Sequence, residues 1–191
     1  YDNGSYLTRL QEGNSFGSIY GFRYKGVYQY DKYEEGRGGT APVVKDVNGN
    51  VVKDANGKPL PMYFDYFNLG NKRYQFRGGD AIYEDINHDG TIDELDIVYL
   101  GNSNPKLTGG FGTNITFKFF NFRYGNKIVN YARMDAENMH SNNNQSIAVN
   151  WRWRKDGDVT EMPRALYNYG YNYLGSDRFV EDGSFLRFKT L

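Results

Sequence analysis

The residue types best suited to chemistry are concentrated in one stretch, Asp85-Ile86-Asn87-His88-Asp89-Gly90-Thr91-Ile92-Asp93-Glu94-Leu95-Asp96. Counting from Asp85, side-chain oxygens stand at positions 1, 3, 5, 9 and 12, glycine stands at 6, and Thr91 at 7 offers its backbone carbonyl. This is the spacing of an EF-hand loop, which wraps a hard cation in about six to eight oxygens while its glycine allows the sharp turn. Asp96 departs from the pattern, which usually ends on a glutamate that binds through both oxygens. The shorter side chain favours one-oxygen binding, and with it weaker affinity or relaxed selectivity against Mg²⁺. Asp85, Asp89, Asp93 and Asp96 converging without a cation would repel one another. The sequence therefore predicts Ca²⁺ held by Asp85, Asn87, Asp89, the Thr91 carbonyl, Asp93 and Asp96. Ile92 is expected to pin the loop to an apolar surface. Ala81-Ile82-Tyr83 before the loop reads as a strand, whereas a regulatory hand needs flanking helices, so the expected role of the ion is to stiffen a turn.

Other motifs carry less. Gly13-Asn14-Ser15-Phe16-Gly17 matches the G-x-S-x-G elbow of hydrolases, which needs a helix after it and a histidine partner. An aromatic, strand-like run follows instead, and the two histidines are His88, inside the metal loop, and His140, in an Asn-rich stretch. No catalytic residue is assigned and no enzyme is expected. Two histidines without cysteine leave little for a zinc site. Gly109-Gly110-Phe111-Gly112 lacks the Lys-Ser/Thr of a phosphate loop, and glycine there relieves crowding in a tilted sheet. The sequon Asn114-Ile115-Thr116 falls mid-strand. Trp151 and Trp153, beside Arg152 and Arg154, suit sugar stacking or loop packing equally.

The elements around these residues read as β-structure. Phe16, Tyr20, Phe22, Tyr24, Tyr28 and Tyr30 share one parity, which predicts one long strand or two short ones broken near Gly21 or Gly26. Asp46-Val47-Asn48-Gly49 and Asp54-Ala55-Asn56-Gly57 repeat a turn signal in which Asn-Gly suits a type I′ hairpin. Residues 40–68 are accordingly expected to form a hairpin-rich excursion outside the main sheet. Leu107, Phe111, Ile115, Phe117 and Phe119 alternate with Thr108, Asn114, Thr116 and Lys118, predicting one strand from Leu107 to Phe119. The phase reverses at Phe120-Asn121-Phe122, so a bulge, a turn or missing residues are expected there. Tyr131–Met139 has modest helical character, residues 151–175 are aromatic and loop-rich, and a strand opens at Phe185.

Composition sets the class. Lys and Arg together number 23, as do Asp and Glu, for a formal net charge of +0, so no global field recruits nucleic acid. Cysteine is absent, while 18 tyrosines and 13 phenylalanines sit in a chain of mean hydropathy -0.76. So many tyrosines in so polar a chain suit surfaces wet on one side: sugar-binding faces, protein interfaces and the girdles of membrane barrels. No apolar run reaches the roughly 20 residues of a spanning helix, which leaves a barrel open.

Five blocks then resemble one family. Gly13 to Tyr24 (GNSFGSIYGFRY), Gly79 to Asp96, Leu100 to Gly110 (LGNSNPKLTGG), Tyr124 to Asn130 (YGNKIVN) and Asp177 to Leu191 (DRFVEDGSFLRFKTL) are similar, in order and approximate spacing, to consecutive blocks near the C-terminus of SusC/RagA-type TonB-dependent transporters. The resemblance implies an all-β, antiparallel transmembrane β-barrel segment, part of a 22-stranded barrel with extracellular loops. Residues 1–191 are then the C-terminal portion of a receptor, with 40–68 as a loop excursion and 85–96 as the EF-hand-like calcium loop. It further implies a bacterial outer-membrane location in contact with lipid, energising through TonB by a region absent here, a SusD-like surface lipoprotein as partner, and nutrient uptake of glycans or peptides. The start at Tyr1 and the stop at Leu191 partway through a strand fit such a fragment. Between Phe122 and Arg123 the chain departs from the family, which usually continues its strand before the Gly-Asn block.

The other class compatible with the residues is a secreted or surface β-rich, calcium-stabilised carbohydrate-binding module. Parity separates the two. A barrel wall leaves its apolar face to lipid and turns its polar face to the lumen, whereas a module buries the apolar face under a second sheet.

Overall fold

The computed structural model describes residues 12–37, 40–65, 73–112, 118–140 and 142–190. In chain order the strands are β1 (Ser18–Gly21), β2 (Tyr24–Val27), β3 (Tyr63–Phe64), β4 (Tyr74–Gln75), β5 (Ala81–Tyr83), β6 (Thr91–Ile92), β7 (Val98–Asn102), β8 (Leu107–Gly112), β9 (Lys118–Tyr124) and β10 (Lys127–Val129), followed by the short helix α1 (Tyr131–Ala136) and then β11 (Val180–Asp182) and β12 (Phe185–Thr190). The fold is all-β; among the described residues the strands pair antiparallel except β3 with β6, and the isolated bridge Arg152–Met162 is also parallel. Among the described residues no helix is long and apolar enough to cross a membrane.

Two compact units are present: Tyr1–Gly21, Val98–Tyr131 and Gly175–Leu191 form one, and Phe22–Ile97 with Ala132–Leu174 form the other. The first holds the pair β1–β7, the pair β10–β11 and the three-stranded sheet β12-β9-β8. The second holds β2–β5 and the sheet β4-β3-β6 around an aromatic core in which Phe64, Phe76, Tyr83 and Ile92 are buried.

The even-parity run of tyrosines does not stay on one face. It breaks between β1 and β2, and the register slips between Ile19 and Tyr20 and again between Tyr24 and Gly26. The extra residue of the first slip, Leu100, is on β7, so only the second, with Lys25 extra on β2, exchanges the faces of this run; Ile19, Phe22, Val27 and Tyr28 are buried while Phe16 is exposed.

The repeated Asp-x-Asn-Gly units form two matching turns of a type other than I′. Gly49 N–H donates to the Asp46 carbonyl and Gly57 N–H to the Asp54 carbonyl, both at 2.9 Å. Only the glycines take positive φ, at +83° and +76°; Asn48 and Asn56 do not. This is a type I turn closed by a left-handed glycine. It is set by the aspartates, because Asp46 Oδ1 accepts from the Asn48 and Asn50 amides and Asp54 Oδ1 from those of Asn56 and Lys58. Nor does this segment stand apart from the sheets, since Val44, Met62 and Phe64 enter the core of the second unit. Residues 66–68 lie outside the described residues.

The largest departure from the sequence reading concerns the strand expected from Leu107 to Phe119. β8 ends at Gly112 and β9 pairs back along it, Leu107 opposite Tyr124 and Gly112 opposite Phe119. β9 then runs unbroken through Phe122–Arg123, in register with β12 from Phe185–Arg123 to Thr190–Lys118. No bulge is needed to explain the phase reversal. Partners in the β8–β9 pair join odd numbers to even ones, so the face that is odd-numbered on β8 is even-numbered on β9. Asn114, Ile115, Thr116 and Phe117 lie outside the described residues.

Candidate functional site

The loop 85–96 is anchored through its middle. Thr91–Ile92 forms β6 beside β3, and Ile92 is fully buried in the core. Gly90 has φ +83°, and a Cβ there would come within 2.6 Å of Val44 Cγ2, so glycine is required by both conformation and space. His88 also takes a positive φ of 58°.

Within the loop the oxygen-bearing side chains turn to the loop's own amides. The Asp89 N–H points at Asp85 Oδ1 and Asn87 Oδ1, 3.2 Å from each, while Gly90 N–H donates to Asp85 Oδ2 at 2.8 Å. Asp89 Oδ1 accepts from Thr91 N–H, and Asn87 Nδ2 donates to Asp89 Oδ2. Asp93 caps the short 3₁₀ turn Glu94–Asp96, its Oδ1 accepting from Leu95 N–H at 2.7 Å. Asp96 is the cross-brace: its carboxylate accepts from Ile86 N–H at 2.7 Å and Asp93 N–H at 2.9 Å, tying the start of the loop to its end. Burial pushes the Asp96 carboxyl above its ordinary range against the pull of those amides, with Asp85 and Asp93 adding repulsion. Among the described residues no three His, Asp or Glu side chains are gathered tightly enough to hold a metal as placed. The donor set nonetheless fits a hard cation, because Asp85 and Asn87 both turn toward the Asp89 amide, Asp89 toward that of Thr91, and each carboxylate oxygen keeps a spare lone pair.

A second polar constellation was invisible in the sequence. Asp80 is fully buried and accepts from Arg164 Nε at 2.6 Å and Nη2 at 3.1 Å, Tyr74 Oη at 2.7 Å, Arg77 N–H at 2.8 Å and Asn172 Nδ2 at 3.3 Å. Burial, then the Asp80 charge, push the Tyr74 hydroxyl up, so it stays a donor. Asn172 also accepts from Ala81 N–H, and Arg164 N–H donates to the Gly79 carbonyl. The knot ties the irregular segment 162–174 to β4 and β5. Arg164 and Asn172 lie 84 and 92 residues from Asp80 in the chain, beyond any local signal. Trp153 packs on Gly79 and donates from Nε1 to the Gln29 carbonyl, so it is a packing group, whereas Trp151 is exposed.

Ser15 Oγ accepts from Asn102 Nδ2 and lies 3.2 Å from Ser18 Oγ, and strand β1 follows it where an elbow needs a helix. The hydrolase pattern has no structural counterpart.

The sheet β12-β9-β8 has two unlike faces. Register places Leu107, Gly109, Phe122, Tyr124 and Leu186 on one side, and Thr108, Gly110, Asn121, Arg123, Phe185 and Arg187 on the other. Leu107, Tyr124 and Leu186 are 57%, 64% and 62% exposed, although they form the apolar side. The Phe122 ring covers Gly109, where a Cβ would come within 2.7 Å of it.

No family model matches the chain. Three proteins of Formosa agariphila do. "TonB-dependent receptor P39" is 29% identical over 202 residues, covering 94% of this chain and 19% of that protein. "TonB-dependent receptor P3" is 27% identical over 98% of this chain and 16% of its own length, and "TonB-dependent receptor P26" is 29% identical over 59% of this chain. The chain is similar to TonB-dependent receptors. It spans about a fifth of the length of those relatives. The names are those of receptors, not enzymes, in keeping with the absence of an assigned catalytic residue. One solved structure, the RagAB peptide importer in the "closed-closed" state, overlaps 90% of this chain and 15% of its own at 18% identity and a TM-score of 0.43, too loose an overlay to establish a shared fold.

Proposed function

We propose that the chain is a C-terminal barrel segment of a SusC/RagA-type TonB-dependent transporter, contributing wall, outer loops and a metal-stiffened turn to a 22-stranded outer-membrane barrel. The observation that carries this reading is the two-faced sheet. In water, Leu107, Tyr124 and Leu186 side by side on an uncovered face would be costly. In lipid an apolar side chain needs no protein partner, and the polar side then faces an aqueous lumen. A carbohydrate-binding module would cover that apolar face with a second sheet. The similarity to TonB-dependent receptors over nearly the whole chain supports the same reading. The whole protein would import glycans or peptides with a SusD-like lipoprotein above it, drawing energy from TonB. Uptake of its ligand by cells should disappear when TonB is deleted; uptake that persists at the same rate would contradict the proposal.

In this reading Asp85, Asn87, Asp89, the Thr91 carbonyl, Asp93 and Asp96 hold one Ca²⁺. The ion supplies positive charge and nothing chemical, relieving repulsion among the carboxylates and stiffening a turn pinned by Ile92. Titration calorimetry should find a single calcium site that Asp89→Ala removes. Unchanged binding in that variant would locate the ion elsewhere.

A further inference from the structure

The polar face of the β12-β9-β8 sheet holds a charge arrangement that the wall reading leaves unused. Arg123 and Phe185 are directly opposed in the register, and Arg187 stands two residues along β12 on the same side. Both guanidinium groups lie against the Phe185 ring, 5.7 Å and 5.6 Å from its centroid. Cation–π contact at this range orients a guanidinium without cancelling its charge. Among the described residues neither arginine has a carboxylate within ion-pair distance, whereas Arg23, Arg73, Arg77 and Arg164 each do. Two like charges sharing one ring repel each other, which an anion between or above them would relieve. They border a hollow of about 490 Å³ together with Thr108 and Asn121.

We propose that Arg123 and Arg187, held apart and oriented by Phe185, form a binding site for an oxyanion group (carboxylate, sulfate or phosphate) carried by a small polar solute. Guanidinium forks match such groups with paired N–H donors, which a point-charge ammonium does not. The Thr108 hydroxyl and Asn121 amide supply neutral partners for hydroxyl groups on the same solute. The anion site itself stands on the sheet register. Its position on a transport path rests on the wall reading above.

The test is equilibrium binding to the full-length receptor in detergent. The probes are inorganic sulfate alone, glucuronate and glucose sulfate, with glucose as the neutral control. The charged probes should bind and weaken as salt is raised, while glucose should not bind. The double variant Arg123→Gln/Arg187→Gln should lose about tenfold or more in affinity, and Phe185→Leu, which only loosens the pair, should lose less. Glucose sulfate binding more tightly than sulfate would assign the oxyanion to a saccharide, and equal binding would assign it to the free ion. The proposal is overturned if the double variant, shown folded by intact calcium binding or unchanged chromatographic behaviour, binds the charged probes as well as the parent does. It is equally overturned if no charged probe binds at about 10 mM, a level at which even a very weak site fills. Failure of the wall reading would show separately, as ready reaction of Leu186→Cys with a water-soluble thiol reagent, and would leave these binding results unaffected.

Discussion

Replacing Asp80 by Asn is the sharpest probe of what holds the second unit together. Asp80 Oδ1 faces Arg164 Nε and Asn172 Nδ2, while Oδ2 faces Tyr74 Oη, the Arg77 amide and Arg164 Nη2. An amide accepts on one atom only, so in either orientation its NH₂ meets at least two donors. Arg164 also loses its counter-charge. Removing one partner of a buried pair costs about 3–5 kcal/mol, and the partly exposed Arg164 side chain puts this case near 3. The loss should be local, because the knot joins segment 162–174 to β4 and β5. Native-state hydrogen exchange reads it at two amides: Arg164, which donates to the Gly79 carbonyl at 2.7 Å, and Ala81, which donates to Asn172 Oδ1 at 2.9 Å. Protection at both should fall by about two decades, since 1.4 kcal/mol is roughly tenfold. Arg164→Met in the same background should restore part of the loss by removing the orphaned charge. A change of less than about threefold at both amides would refute the claim that the knot anchors this segment.

Other substitutions test separate parts of the account. The Arg77 guanidinium, helped by the Gly78 amide, holds the Asp31 carboxyl down from an ordinary 3.8 to about 2. Its contribution is therefore complete above pH 3.8 and lost as pH falls through about 2, so the cost of Asp31→Asn should shrink over that window. That cost is about 1 kcal/mol at neutral pH after allowance for the exposed Arg77, read from denaturant midpoints. Gly79→Ala forces a Cβ to 2.2 Å from Trp153 at a φ of +83°, whereas Gly49→Ala has the same φ and nothing within 4 Å. The first should cost about 2–4 kcal/mol in thermal or chemical unfolding and the second only about 1. Gly90→Ala pushes on Val44 and should weaken calcium binding by at least about tenfold in calorimetry, because the loop can no longer curl.

Legibility followed distance along the chain. β5, the burial of Ile92, the short helix at Tyr131 and the strand at Phe185 all rest on neighbouring residues, so spacing and alternation were enough to read them. Hairpin type was misread at Asn48-Gly49 and Asn56-Gly57 because the deciding contacts come from Asp46 and Asp54, two residues earlier. The run from Leu107 reads as one strand because β8 and β9 each alternate, and only their register, odd against even, shows that they are two paired strands. The Asp80 knot and the Arg123–Phe185–Arg187 group needed a register and a fold before their members could meet. Aspartate, arginine and tyrosine in a polar chain give no local signal of burial.

The most direct test of the central claim is the environment of each face of the β12-β9-β8 sheet in the whole protein in membranes. Spin labels placed singly at Leu107, Tyr124 and Leu186, and at Thr108, Arg123 and Arg187, report collision with lipid-soluble oxygen or with a water-soluble nickel complex. The wall reading predicts that the first three favour oxygen and the second three favour the nickel complex, alternating residue by residue along β12. Leu186→Arg should in addition cost about 2–4 kcal/mol if that residue lies near the bilayer midplane. Labels at 107, 124 and 186 shielded from both reagents would mean that protein covers the apolar face, and nickel access on both faces would mean that no lipid does; either result contradicts the account.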